Sequence, residues 1–134
     1  MSIILASIFQ GCTGFNPTKN EIIGIWKSSD GAILEFKKDG TFAGQSLPGE
    51  KIFFNSSEFR DKRFNESGKW DVKKWQDQWV VTLSFNRSPT LKKGYDTRIL
   101  ISGSNGVLEN KPPWYLFQWV EEEGGQRYKF ERSK

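Results

Sequence analysis

Hydrophobic and polar residues alternate with a period of two along most of the chain after residue 20. This period is typical of β-strands, whose side chains point alternately to the two faces of a sheet. The alternation is clearest at residues 79–85, and an Asp39-Gly40 pair between two other apolar runs is a typical hairpin signal. The pattern therefore predicts strands along most of the chain and favours no long helix.

The predicted strands are short and are joined by turns. They cover residues 22–27, 33–36, 41–45, 69–75, 79–85, 95–102, 114–120 and 126–132, with shorter apolar pieces at 52–54 and 107–109. Residues 55–67 are predicted to form a polar loop, and Pro112-Pro113 is predicted to break the chain before the strand at 114–120. We therefore expect an all-β fold, an antiparallel meander of eight to nine strands closed into a barrel, because closure removes exposed sheet edges.

The segment 114–120 carries large apolar side chains on both faces. We expect Phe117 and Trp119 to face the interior together with Trp70, and Trp114 and Leu116 to face outward. A strand that is apolar on both faces has to bury both. These five residues are therefore the candidates for binding a ligand or a partner, with the alternative that their side chains simply fill the core.

The chain has 134 residues, the length of a single domain, with no histidine and one cysteine. Catalytic triads with histidine, histidine-ligated zinc and an internal disulfide are therefore excluded. The remaining catalytic candidates are carboxylate pairs such as Asp71 with Asp96 or Glu109, which would suit glycoside hydrolysis. Nothing in their spacing requires them to meet, and Asp39 and the run 121–123 lack the spacing of a calcium loop. We expect no catalysis, no cofactor and no metal.

The net charge of +4 is spread along the chain in basic pairs beside turns, with an acidic run at 121–123. A protein that binds nucleic acid usually concentrates its basic residues on one face or arm. Scattered pairs are more often solvated surface, so no nucleic-acid partner is expected.

The first twelve residues carry no charge, and the sole cysteine, Cys12, follows Gly11 directly after an apolar run. This arrangement resembles the lipobox of bacterial lipoproteins, which implies cleavage before a cysteine that carries fatty acyl chains such as palmitate. The resemblance divides the chain into a signal peptide at 1–11, a lipidated cysteine and tether at 12–20, and a barrel domain at 21–134. The alternative is a buried first strand with an incidental core cysteine.

The first predicted strand contains Gly24-Ile25-Trp26, and the last contains Arg127 and Arg132. This resembles lipocalins and the wider calycin group, in particular small lipocalin-like bacterial lipoproteins of unknown function. In that arrangement an arginine from the last strand packs over the indole that plugs the closed end of the barrel, which is a cation–π contact. Strand parity selects Arg132, so the resemblance implies a plug made of Gly24, Trp26 and Arg132.

Together these features predict an exported lipoprotein in the cell envelope, held by a lipid anchor in the outer membrane and facing the periplasm. We expect its barrel to bind a small or extended ligand or an envelope protein without catalysis. The alternative is a protein-interaction module such as an inhibitor of an envelope hydrolase. A deep apolar cavity would favour the first function, and a filled core with a charged loop at 55–67 or 86–94 would favour the second.

Overall fold

The computed structural model describes residues 16–53, 57–105, 111–120 and 126–133. Eight antiparallel strands form one closed barrel, in which each strand pairs with the next and β8 pairs with β1. The predicted all-β meander is therefore confirmed. The strands are β1 (Gly24–Lys27), β2 (Ile33–Phe36), β3 (Thr41–Pro48), β4 (Arg63–Trp75), β5 (Gln78–Phe85), β6 (Tyr95–Asn105), β7 (Lys111–Trp119) and β8 (Arg127–Arg132). The described residues also form two single-turn helices, α1 (Lys19–Ile22) and α2 (Gly49–Ile52), and a 3-10 helix (Ser57–Phe59). The predicted signal peptide, Cys12 and the piece at 107–109 lie outside the described residues.

The chain enters the barrel through α1, so β1 begins two residues later than the alternation predicts. The Glu21 carboxylate accepts a hydrogen bond from the Thr18 backbone N–H at 2.9 Å, a capping contact at the start of the turn. Ile22 is fully buried from this helix. Its apolar side chain therefore reaches the core from a helical turn rather than from a strand.

The predicted loop at 55–67 is partly wrong, because β4 already begins at Arg63. Phe64 is the one large apolar residue between 63 and 69, and it is buried, so the alternation there is too sparse to read from the sequence. Gly68 faces inward at a position with no room for a side chain, because a Cβ there would lie 1.9 Å from the Ser84 carbonyl oxygen. Of the apolar piece predicted at 52–54, Ile52 is buried at the end of helix α2 and Phe53 follows as its C-cap, while residue 54 lies outside the described residues.

The prolines at 112 and 113 lie inside β7 and do not break the chain before it. The pairing of β6 with β7 changes register between Gly103 and Asn105, opposite these prolines. A residue without an N–H is tolerated at such an irregularity, because the regular ladder is already interrupted there.

The predicted faces of β7 are reversed. Leu116 is fully buried in the core cluster together with Trp114, whereas Phe117 and Trp119 lie on the outer face. The orientation follows from register, because Leu116 is paired with Ile101 and with Phe130, both of which are core residues. Trp70 is a core residue, as expected.

The strands run between two ends of the barrel. The end formed by α1, the turn at 37–40 and the hairpin tip at 75–78 is called the tether end below. The opposite end is formed by α2, the 3-10 helix and the loop at 86–94, and is called the capped end.

A series of ring contacts connects the two ends through the interior. Ring centroids lie 5.1 to 6.4 Å apart from one member to the next, in the order Trp70, Phe36, Phe42, Phe85, Phe53 and Tyr95. Aromatic rings at these distances are in contact. The axis of the barrel is therefore occupied by side chains.

Candidate functional site

Trp26 closes the tether end of the barrel. Its ring is buried, and its indole N–H donates to the Ile22 carbonyl oxygen at 2.8 Å. The guanidinium of Arg132 lies over the ring, with 4.9 Å between the guanidinium carbon and the ring centroid. That guanidinium also donates to the carbonyl oxygens of Glu21 and Ile23, which ties β8 to the chain that enters β1.

Gly24 is required by the plug. Its φ of +135° lies in a region that residues with a Cβ rarely adopt. A Cβ at this position would also lie 2.6 Å from an Nη atom of Arg132. The Gly-X-Trp sequence and the final arginine thus form one structural unit.

Trp114 belongs to the same end of the barrel. Its indole N–H donates to the Glu21 carboxylate at 2.9 Å. Partial burial alone would raise the pKa of Glu21, but hydrogen bonds from Trp114 and Thr18 outweigh it, so the pKa lies below its ordinary value of 4.5. Trp114 therefore stabilises the closed end and does not form an exposed binding surface.

The capped end is closed by aromatic rings and by α2. The ring of Phe53 lies 5.1 Å from those of Phe59 and Tyr95 and 5.2 Å from that of Phe85. The carbonyl oxygen of Ile52, in α2, accepts hydrogen bonds from the Thr97 hydroxyl at 3.0 Å and from the buried Gln118 amide at 3.2 Å. These bonds hold α2 across the mouth that an open barrel would use for ligand entry.

A groove of about 580 Å³ crosses the outer face of strands β4 to β7. We call it the outer groove. Its outward-facing lining residues are Lys73, Trp75, Val80, Thr82, Ser84, Asp96, Arg98, Leu100 and Trp119. It combines apolar surface with two cationic side chains and the Asp96 carboxylate, and apolar surface with a few polar groups is what many ligand sites share.

One cross-strand row explains why this outer face is apolar. Val80, Leu100 and Phe117 are paired in sequence across β5, β6 and β7, with Lys73 before them on β4 and Lys129 after them on β8. Val80 and Phe117 are almost fully buried although they lie outside the barrel core. Neighbouring side chains on the outer surface therefore cover this row.

Arginine side chains supply part of that cover. The Arg127 guanidinium carbon lies 4.6 Å from the ring centroid of Phe117 and 5.2 Å from that of Trp119. On the other side of the groove, Arg98 lies 3.8 Å from the ring centroid of Trp75, whose side chain remains 40% exposed. Such stacking fixes the rings while leaving guanidinium N–H groups at their edges, where they can donate hydrogen bonds.

The sequence-based candidates divide between the two faces. Trp70, Trp114 and Leu116 are core residues, while Phe117 and Trp119 belong to the outer face, and only Trp119 lines the groove. Val80, Arg98 and Leu100 were missed. Val80 and Leu100 had a signal in the sequence, because each is the middle residue of a run of three apolar residues, 79–81 and 99–101. If the two flanking residues face the core, the middle one faces outward.

The carboxylates considered for catalysis are held apart. Asp71 lies on β4 and pairs with Thr82 on β5, whereas Asp96 lies on β6, so a strand separates them. Asp71 instead faces the Lys19 ammonium at 3.7 Å. Glu109 lies outside the described residues.

The described part of the chain contains no group of three carboxylate, cysteine or histidine side chains placed to hold a metal ion. Within those same residues no helix is long and apolar enough to span a bilayer.

No protein-family model, curated protein or solved structure matches this chain.

Proposed function

We propose that this protein is an exported lipoprotein, anchored through Cys12, whose lipocalin-like barrel binds an extended ligand or an envelope partner without catalysis. The observation that carries the binding function is the outer groove, with Trp119 and Leu100 on its surface and Arg98 at its side. The anchor is supported by the lipobox-like sequence before Cys12. The lipocalin-like assignment is supported by the Trp26–Arg132 stack in an eight-stranded meander.

The filled interior favours binding on the outside. Ring contacts run along the barrel axis, and α2 is bonded across the capped end. A ligand inside would have to displace several buried aromatic side chains, each of which stabilises the fold by a few kcal/mol. The outer groove requires no such displacement.

The groove suits an extended molecule. It crosses four strands, and with about 4.8 Å between neighbouring strands it spans about 14 Å. Trp119 and Trp75 offer ring faces or edges to planar or sugar groups, while Arg98 and Lys73 offer donors to oxygen acceptors. A glycan strand of the cell wall and an extended protein segment both present this combination of groups.

The binding proposal is tested with two groove variants, Trp119→Ala and Leu100→Ala, and one matched control, Ile25→Ala. Ile25 is an outward apolar residue that is 41% exposed on β1, away from the groove. Binding of the purified proteins to isolated peptidoglycan sacculi is measured, as is photo-crosslinking to envelope proteins in cells. In at least one of the two assays, we expect both groove variants to lose binding while Ile25→Ala binds like the wild type. Equal binding by all three variants would exclude the groove.

The anchor is tested separately by fractionation. Cys12→Ser should move the protein from the membrane to the soluble fraction, since stable attachment needs two acyl chains or one chain with a second signal. A variant that stays in the membrane fraction would contradict the lipoprotein assignment.

A second function, inhibition of an envelope hydrolase, is favoured by the filled interior together with the charged loop at 86–94. Its Leu91 is fully buried, and the Ser88 hydroxyl accepts a hydrogen bond from the Leu91 N–H at 2.9 Å and donates to the Glu66 carboxylate at 2.7 Å. A loop held in this way presents exposed Lys92 and Lys93 with little loss of freedom on binding.

The same crosslinking assay separates the two functions. Replacement of both Lys92 and Lys93 by alanine should abolish the contact if the loop is the interface, with the groove variants unaffected. Loss of the contact in the groove variants, with the lysine variant unaffected, would support binding at the outer groove.

A further inference from the structure

Exposed lysines gather on the tether end of the barrel. Lys37 and Lys38 lie in the β2–β3 turn, and Lys73 and Lys74 lie near the tip of the β4–β5 hairpin, all with exposed side chains. We propose that this end is a contact surface for anionic lipid headgroups, in addition to any acyl anchor.

The hairpin that carries two of these lysines extends beyond the neighbouring strand β3. β3 begins at Thr41, opposite Lys69, so residues 70–75 of β4 continue past the start of β3. The hairpin closes with Trp75 paired to Gln78 around two residues of positive φ, Gln76 and Asp77. This two-residue geometry is that of a tight β-hairpin turn.

The carboxylates at this end are fewer than the basic side chains. Glu21 accepts hydrogen bonds from the Trp114 indole N–H and the Thr18 N–H. Asp39 accepts hydrogen bonds from the Thr41 N–H at 2.9 Å and from its hydroxyl at 2.6 Å, and Asp71 faces Lys19. Asp77 is exposed at the hairpin tip. Hydrogen bonds do not remove the charge of these carboxylates. The described part of this end is positively charged because its cations outnumber its anions, with Lys19, Lys37, Lys38, Lys69, Lys73 and Lys74 against Glu21, Asp39, Asp71 and Asp77.

Trp75 adds an apolar group to the basic surface. It is 40% exposed at the hairpin tip, next to Lys73 and Lys74. Tryptophan is enriched where a protein meets the headgroup layer, because its ring is apolar with a polar N–H. Lysines beside it add attraction to anionic lipids, worth about 1 kcal/mol each near the surface.

The short distance along the sequence from Cys12 to the first described residue also favours a lipid surface at this end. Cys12 precedes Asn16, the first described residue, by four residues, which span at most about 14 Å. Asn16 leads directly into α1 at the tether end. An acylated Cys12 would therefore bring this end to the bilayer. This orientation rests on the proposed anchor, whereas the charge and the exposed tryptophan do not.

The capped end also carries both charge signs. Arg60, Lys62 and Arg63 lie close in sequence to Glu58 and Asp61, and Arg63 is bound to Asp30 at 2.6 Å. It nevertheless carries the exposed pair Lys92-Lys93, which has the same charge and spacing as Lys37-Lys38. This pair provides a matched control.

The test uses the full chain with Cys12→Ser, so that no acyl chain contributes. Co-sedimentation is measured with vesicles of phosphatidylcholine containing phosphatidylglycerol and with vesicles of phosphatidylcholine alone. Lys37→Gln with Lys38→Gln, and Lys73→Gln with Lys74→Gln, are compared with Lys92→Gln with Lys93→Gln. We expect about a fivefold loss of binding to the anionic vesicles for each tether-end lysine removed and little change for the control pair. Raised salt should weaken the binding.

Three results would overturn the inference. Equal losses in all three double variants would mean that net charge alone attracts the protein. Equal binding to neutral vesicles would assign the interaction to apolar segments that all the variants share. The absence of binding to anionic vesicles would also exclude the lipid-contact surface. Fractionation of the acylated protein with the membrane would still support the anchor in that case, so the two proposals can fail independently.

Discussion

The guanidinium carbon of Arg132 lies 4.9 Å from the ring centroid of Trp26, and the two residues stand opposite each other on β8 and β1. Among the described residues, the pairing of β8 with β1 consists of this pair and Lys27 with Glu131. Such a short ladder contributes few backbone hydrogen bonds. The closure of the barrel therefore depends strongly on the side chains around Trp26.

We expect Trp26→Ala to lower the free energy of unfolding by about 3–5 kcal/mol, because it removes a buried ring at the seam of the barrel. The measurement is urea denaturation followed by circular dichroism. Trp75→Ala is the control, since that side chain is 40% exposed and its removal should cost less than about 1 kcal/mol. A loss below about 1 kcal/mol in Trp26→Ala would contradict the plug.

Two tryptophans of β7 test which face is the core. Trp114→Ala should destabilise the protein by about 3–5 kcal/mol, because it removes a buried ring and the donor to Glu21. Trp119→Ala, the same change on the outer face of the same strand, should cost less than half as much. Thermal and urea unfolding of the two variants are compared. Equal losses would mean that the faces are not assigned correctly.

Asp30 makes stability depend on acid pH. Partial burial would raise its pKa, but hydrogen bonds from Ser28, Tyr128 and Arg63 outweigh burial and hold the pKa well below its ordinary value of 3.8. A carboxyl whose pKa is lowered by folding stabilises the protein above its unfolded-state pKa, and that contribution is lost as the pH falls toward the folded-state value.

The Asp30→Asn variant isolates this contribution. We expect the difference in unfolding free energy between wild type and variant to be constant above about pH 5 and to shrink progressively below about pH 4. Urea unfolding at a series of pH values measures it. A difference that does not change between about pH 5 and pH 2 would show that Asp30 does not carry the effect.

Gln118 is expected to hold α2 over the capped end. Its buried amide donates to the carbonyl oxygens of Ile52 at 3.2 Å and Arg98 at 2.9 Å. Gln118→Leu leaves both acceptors short of one donor, which should cost about 1–3 kcal/mol. It should also speed hydrogen exchange and proteolysis in residues 49–62. Gln45→Leu, at an exposed position on β3, should change neither measurement.

The strand pattern was predictable wherever one face of a strand is apolar and the other polar. The hairpin at 37–40 follows its Asp-Gly signal, with Gly40 at a φ of +89° and the Lys37 N–H bonded to the Thr41 carbonyl oxygen at 2.9 Å. The start of β4 was not predictable, because Phe64 and the inward Gly68 leave no alternation to read. The chain break predicted at Pro112-Pro113 was wrong for a local reason, because the two prolines lie inside β7 where its register with β6 changes.

The sequence by itself determined the all-β class and the meander order, because strand period and turn residues are local properties. The contact of Arg132 with Trp26 was implied by the resemblance to lipocalins, and strand parity selected Arg132 over Arg127. Only the tertiary structure decided which face of β7 is buried, since both faces are apolar and the choice depends on pairing with Ile101 and Phe130. It also decided where a ligand has room. Contact between rings that are distant in sequence fills the axis, and the apolar row on the outside lies between arginines from neighbouring strands.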